Sequence, residues 1–139
     1  MILVIVVGGV VAFIFRDSLS GSANNLVVGD CFTVPAGGTV SDVQHDPCGQ
    51  PHTGEVVAVF DYPNPPSVFP GLDAIKSVVT AQCPPAFQAY TGQDLQSAAA
   101  IDVGYFYPAQ DNWDSDKQII CYATPVDGNP VSVSYRKSP

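Results

Sequence analysis

The sequence predicts an α+β domain: a mostly antiparallel sheet with one Pro-broken helix packed on it, two disulfides, and an N-terminal membrane helix ahead of it. Three observations lead there. Short runs rich in β-branched and aromatic residues recur, such as EVVAVF at 55–60 and IDVGYFY at 101–107. One stretch has helical spacing, with Leu72, Ile75, Val79 and Cys83 on one face and Val78 beside them. The 13 prolines and 12 glycines punctuate the chain too often for a helical bundle.

Residues 2–15, ILVIVVGGVVAFIF, carry no charge. As a helix, residues 1–15 reach about 22 Å at 1.5 Å per residue, short of a hydrocarbon core of roughly 30 Å. Three readings compete: a transmembrane anchor over 1–16 whose start is missing, a signal peptide cleaved near Gly21-Ser22-Ala23, and a buried core helix. The apolar run begins at the second residue with no basic stretch before it, which favours the truncated anchor. Arg16 on the outer side runs against the positive-inside tendency. Cysteine usage outweighs that single charge, so the expected orientation is N-terminus inside and folded domain extracytoplasmic, in a single-pass cell-membrane protein. The stretch 17–25, DSLSGSANN, reads as a flexible linker, and the folded domain is expected over 26–136.

Within that domain, 27–32 (VVGDCF) reads as a strand interrupted by a turn, 35–38 as a loop and 39–44 as a short strand. The run 55–60 is the strongest strand. Residues 62–70 carry Pro63, Pro65, Pro66 and Pro70 and are expected to be irregular. A helix starts at Leu72 and is expected to stop at Pro84-Pro85, which remove amide donors and disfavour helical geometry at Cys83. A further turn can restart there, with Phe87 and Tyr90 on one face. Strands follow at 101–107, 118–122 and 131–135.

The net charge is −8, and all but one of the 13 acidic residues lie beyond Asn24. An acidic surface repels phosphate backbones and anionic headgroups, so nucleic acid is excluded as a partner. An envelope protein or a cell-wall polymer remains open, as does contact with the membrane through the N-terminal helix.

Four cysteines allow three pairings. The simplest joins neighbours, Cys31 to Cys48 and Cys83 to Cys121. In the chain-entropy model those loops contribute about 3 and about 4 kcal/mol. No CxxC spacing supports zinc. A cysteine nucleophile would need an unpaired thiol beside His45 or His52, which an even cysteine count in an oxidising compartment argues against. No metal or cofactor is expected.

The most distinctive stretch is CGQPHTGE at 48–55, which sets His52 three residues before Glu55. A working pair of these two is the enzymatic alternative, a hydrolase-type site in an open cleft with a third polar group. The plainer reading has the His52 ring bonding local backbone beside a disulfide. Asp111-Asn112-Trp113-Asp114-Ser115-Asp116 lacks the glycine and glutamate of a calcium-binding EF-hand loop. It reads as a turn that buries Trp113 against the sheet. Strand alternation sends at least one of Tyr105, Phe106 and Tyr107 into the core. No GxSxG, HExxH or phosphate-binding glycine loop is present, so a non-enzymatic interaction module is the expectation. Its candidate surface residues are His52, Glu55, Tyr62, Pro65 and Phe69. A spacer that positions a missing cytoplasmic region is a third possibility.

Read together, these pieces resemble the septum-formation domain family of Gram-positive, mainly actinobacterial, envelope proteins. The resemblance rests on VGDCF at 28–32, Pro47-Cys48, Pro51-His52, Glu55-Val56, Phe69-Pro70-Gly71 and Asp73-Ala74. It continues through Cys83, Phe87, Tyr90, Tyr107-Pro108, Trp113, Asp116-Lys117 and Cys121, covering about residues 26–123. The chain departs from the family pattern at Pro84-Pro85, at Lys117 where arginine is usual and at Ala109 where threonine is usual. The resemblance implies a membrane-tethered envelope protein linked to division-septum formation. It supplies no catalytic residue.

Overall fold

The computed structural model describes residues 26–34 and 43–137, with two short stretches of strand nearer the N-terminus, β1 (Leu3–Val4) and β2 (Gly8–Ala12), which pair in parallel. The rest of 1–25 lies outside the described residues, and with it most of the predicted anchor and the whole predicted linker. Among the described residues no helix is long and apolar enough to cross a membrane.

The domain itself is a five-stranded antiparallel sheet with one helix against it, as the sequence predicts. Its strands are β3 (Cys31–Thr33), β4 (Gln44–Asp46), β5 (Gly54–Asp61), β6 (Ile101–Phe106) and β7 (Gln118–Pro125), in the order β4-β3-β5-β7-β6. Most of the predicted strand at 39–44 lies outside the described residues. The long strands β5 and β7 are central, so both of their faces must be covered. Their sequences show it: on β7, Ile119, Cys121 and Ala123 face one core and Ile120 and Tyr122 the other. A register shift between Val56 and Ala58 lets Val57 and Ala58 both join the first core.

The helix α1 (Leu72–Thr91) covers the first face through Ile75, Val79, Cys83, Phe87 and Tyr90. The predicted break at Pro84-Pro85 does not occur, and α1 runs uninterrupted through both prolines. The amides missing there would have served the carbonyls of Thr80 and Ala81, four residues back, and both residues are exposed, where water can take over. The buried row on either side of the prolines, and the Cys83–Cys121 disulfide within it, hold the helix to the sheet. Gly92 ends it in a left-handed conformation (φ 76°), its N–H donating to Gln88 O at 2.8 Å.

The second face is aromatic. Phe32, Phe106 and Tyr122 form a cluster with centroid separations of 5.7, 5.3 and 4.8 Å. Two glycines make room for it across the ladder, Gly54 opposite Phe32 and Gly104 opposite Tyr122. A Cβ at Gly54 would come to 2.5 Å from the Phe32 ring, and one at Gly104 to 2.3 Å from the Tyr122 ring, both too close to fit.

Both disulfides join the expected neighbours, Cys31–Cys48 and Cys83–Cys121, with Cα separations of 5.2 and 5.7 Å that suit unstrained bridging. The last predicted strand, 131–135, is reduced to one bridge between Val131 and His52. Beyond it the chain leaves the sheet, and the Ser134 hydroxyl and Tyr135 amide donate to Glu55.

Candidate functional site

Glu55 is the only acidic residue in the run GEVVAV, and it is fully buried, 0% exposed. Register explains its position. It pairs with Cys31 on one side and Ala123 on the other, so its side chain leaves the sheet on the helix face. A buried carboxylate must be surrounded by donors. Here Oε2 accepts from the Tyr90 hydroxyl and the Ser134 hydroxyl, each at 2.5 Å, and Oε1 accepts from the Tyr135 amide at 2.8 Å. These are distances of charge-assisted bonds. One side chain thus ties β5 to the end of α1 and to the C-terminal tail.

The tail is fixed at further points. The backbones of His52 and Val131 exchange two bonds of 2.9 Å, and the Lys137 amide donates to Tyr90 O at 2.9 Å. The Arg136 guanidinium lies over the Tyr90 ring, 5.1 Å from its centroid. Burial, and then the Glu55 carboxylate it donates to, push the Tyr90 phenol above its ordinary value. Burial first, then Glu55 and Asp127, push Tyr135 up to about 12.

His52 is also interior, 1% exposed. Its Nδ1 bonds Gln50 O at 2.7 Å, the local-backbone role anticipated for it. Nε2 then points inward, 3.9 Å from Glu55 Oε1, and has no hydrogen-bond partner. The Cys31 Sγ, the His52 ring nitrogen and a Glu55 oxygen all lie within 4.8 Å of one another. That spacing would suit a metal ion, but the donor set does not fit: Cys31 is bonded to Cys48 and offers no thiolate, and both Glu55 oxygens already hold donors.

So the structure brings His52 and Glu55 together, yet seals them inside. They cannot line an interaction surface as predicted, because neither exposes side chain to solvent. Among the described residues, both side chains of the pair are closed off from solvent, where a hydrolase-type site would need them in an open cleft.

Tyr62, Pro65 and Phe69 gather elsewhere. Glu55 and Tyr62 are separated by the length of β5, roughly 20 Å at 3.3 Å per residue. Trp113, 2% exposed, organises this second place. Its indole N–H donates to Pro66 O at 2.9 Å, and Tyr62 and Phe69 meet its ring edge-on at 5.6 and 5.7 Å. The Lys117 ammonium sits 5.3 Å from the ring centroid and donates to Trp113 O at 2.7 Å. The loop 62–70 is irregular, as expected, but pinned at three points. It leaves Val68 71% exposed. Beside it lies an open recess of about 460 Å³, whose lining includes Asp61, Tyr62, Pro65, Asp114, Asp116 and Lys117.

Sequence reasoning missed Ser134, Tyr135 and Arg136, and treated Tyr90 as core alone. A signal existed: a lone glutamate in an apolar strand demands donors from somewhere.

A family model for septum formation matches residues 28–137, from the VGDCF turn to the tail that Glu55 holds. The chain belongs to the septum-formation family. No curated protein and no solved structure matches it. The match extends past Cys121, where the resemblance in sequence faded, through Ser134 and Tyr135. The stretch that the family model matches therefore takes in the strapped tail.

Proposed function

We propose that this septum-formation domain is a non-enzymatic interaction module, tethered to the bacterial membrane and folded on its outer side, which binds an envelope protein or a cell-wall polymer during septum formation. Its binding face is the loop 62–70 together with the acidic recess beside it. One observation carries this reading: Trp113 spends its indole N–H and two aromatic contacts on holding an exposed, proline-rich loop in a single shape. A loop fixed in advance loses little entropy when a partner docks. Three carboxylates against one ammonium in the recess favour a partner that presents positive charge.

The test is affinity capture from a solubilised envelope fraction with the full chain as bait. Val68→Asp, which places a charge on the exposed loop, and Asp116→Lys, which reverses the recess, are expected to lose the captured species. Val126→Asp, at another exposed apolar position (61%), is expected to keep it. Equal capture by all three variants, or enrichment of neither protein nor glycan by the unmodified chain, would sink the proposal.

A further inference from the structure

The two disulfides sit in different chemical surroundings. Cys83 and Cys121 are 1% and 0% exposed, between α1 and the central strand β7. Among the described residues, histidine and carboxylate atoms do not gather around that pair as they do around Cys31. Cys31 is equally buried, at 2%, but its partner Cys48 lies in a turn and is only half-buried. One residue of this pair is partly open to solvent and the other is not.

The buried residue of the pair, Cys31, lies beside an unpartnered base. The bond from Nδ1 to Gln50 O fixes the His52 ring, so Nε2 turns inward towards Glu55, and the Cys31 sulfur lies in the same cluster. A buried ring nitrogen without a partner is destabilising, because it gave up water and gained nothing in return. While Cys31 is bonded to Cys48, none of the described residues supplies that partner. Once Cys31 is released as a thiolate, a protonated His52 pairs with it, and the Glu55 carboxylate supports the resulting imidazolium. Opening this disulfide repairs a defect. Opening the other would only create one.

We propose that Cys31–Cys48 is an exchangeable disulfide, opened by an external dithiol with Cys31 as the leaving sulfur and His52 as the group that stabilises it. The reductant's thiolate attacks Cys48 Sγ. An S–S bond forms between reductant and Cys48 while the Cys31–Cys48 bond breaks, and its electron pair goes to Cys31 Sγ. The proton given up by the attacking thiol ends on His52 Nε2. The reductant's second thiol then loses its proton and closes on the first sulfur, releasing Cys48, which takes that proton. Two electrons and two protons pass from the dithiol to the protein, and the dithiol leaves as a disulfide. A low-pKa leaving thiol and an accessible electrophilic sulfur are the conditions that speed such exchange. The partner implied is a dithiol of the extracytoplasmic thiol-exchange class, and the domain is its substrate.

The experiment treats the folded full chain with glutathione, traps thiols and mixed disulfides by alkylation, and maps them by mass. Dithiothreitol is then used for the rates. The unmodified chain is expected to carry glutathione on Cys48 alone, with Cys31–Cys48 opening at least tenfold faster than Cys83–Cys121. His52→Asn, whose amide can still donate to Gln50 O, is expected to slow that opening roughly tenfold and to change its pH profile. Glutathione on Cys31, simultaneous opening of both bridges, or an unchanged rate and profile in a folded His52→Asn chain would overturn the proposal. Should His52→Asn fail to fold, the position of the adduct and the ratio of the two rates in the unmodified chain decide it.

Discussion

At one end of β5, Glu55 draws a helix end, a disulfide-bearing strand and the C-terminal tail around a buried charge. At the other, Tyr62 leads into a proline loop that is held from beneath by a tryptophan and left open above. Both ends are ordered, but by different physics. The first is ordered by satisfying polar groups that water cannot reach, so each donor there is needed and each loss is expensive. The second is ordered by aromatic packing at the edge of the core, so its outer atoms are free to differ without cost to the fold. The polar residues at the first end are needed by the fold itself. The bland loop is the surface that can afford a function.

The largest effect is expected at the closed end. Glu55→Ala leaves the Tyr90 and Ser134 hydroxyls and the Tyr135 amide without their acceptor, and should cost about 3–5 kcal/mol of unfolding free energy in urea titration. A loss under about 1 kcal/mol would mean that the tail is held by other contacts. At the open end, Trp113→Ala removes the pin under the loop and should cost about 3 kcal/mol. Trp113→Phe keeps the packing and drops the bond to Pro66 O, for about 1 kcal/mol. If both Trp113 variants were equally damaging, packing would not be what orders this end.

The smallest effect concerns pH. Asp102 lies on β6 beside the Glu55 end, since its neighbour Val103 and Glu55 both pair with Ala123. Burial pushes its carboxyl up to about 7, although the Val103 amide that donates to it pulls the other way. A raised native pKa means that the folded chain keeps a proton which the unfolded chain releases at about pH 4. Stability from this group is therefore complete below about pH 4 and lost as pH rises towards 7. Asp102 is partly exposed, and solvent screening leaves about 1 kcal/mol or less. Asp102→Asn should flatten the dependence of urea midpoint on pH between 4 and 7. An unaltered slope would assign the dependence to another group.

Much of this arrangement was legible in the residues. The β-rich runs, the single amphipathic stretch, the pairing of neighbouring cysteines and the burial of Trp113 all follow from patterns with a local cause. The unbroken helix was not legible, because the damage done by Pro84-Pro85 depends on whether Thr80 and Ala81 face water or protein. The role of Glu55 was not legible either. A lone glutamate in an apolar strand calls for donors, but they come from Tyr90, Ser134 and Tyr135, far along the chain, and no local pattern says which distant residues supply them. For the same reason His52 and Glu55 were placed on the surface: three residues apart in a polar stretch, they carry no sign that a tail folds over them.

Backbone hydrogen exchange, read residue by residue by NMR, separates the closed end from the open one. The Tyr135 amide lies in a segment without regular secondary structure, and only its bond to Glu55 protects it. It should exchange as slowly as the amides of β7, through global unfolding, while the Val68 amide exchanges orders of magnitude faster. Glu55→Gln should bring Tyr135 close to the loop rate. Fast exchange at Tyr135 in the unmodified chain, on a par with Val68, would contradict the picture of a tail locked by a buried carboxylate.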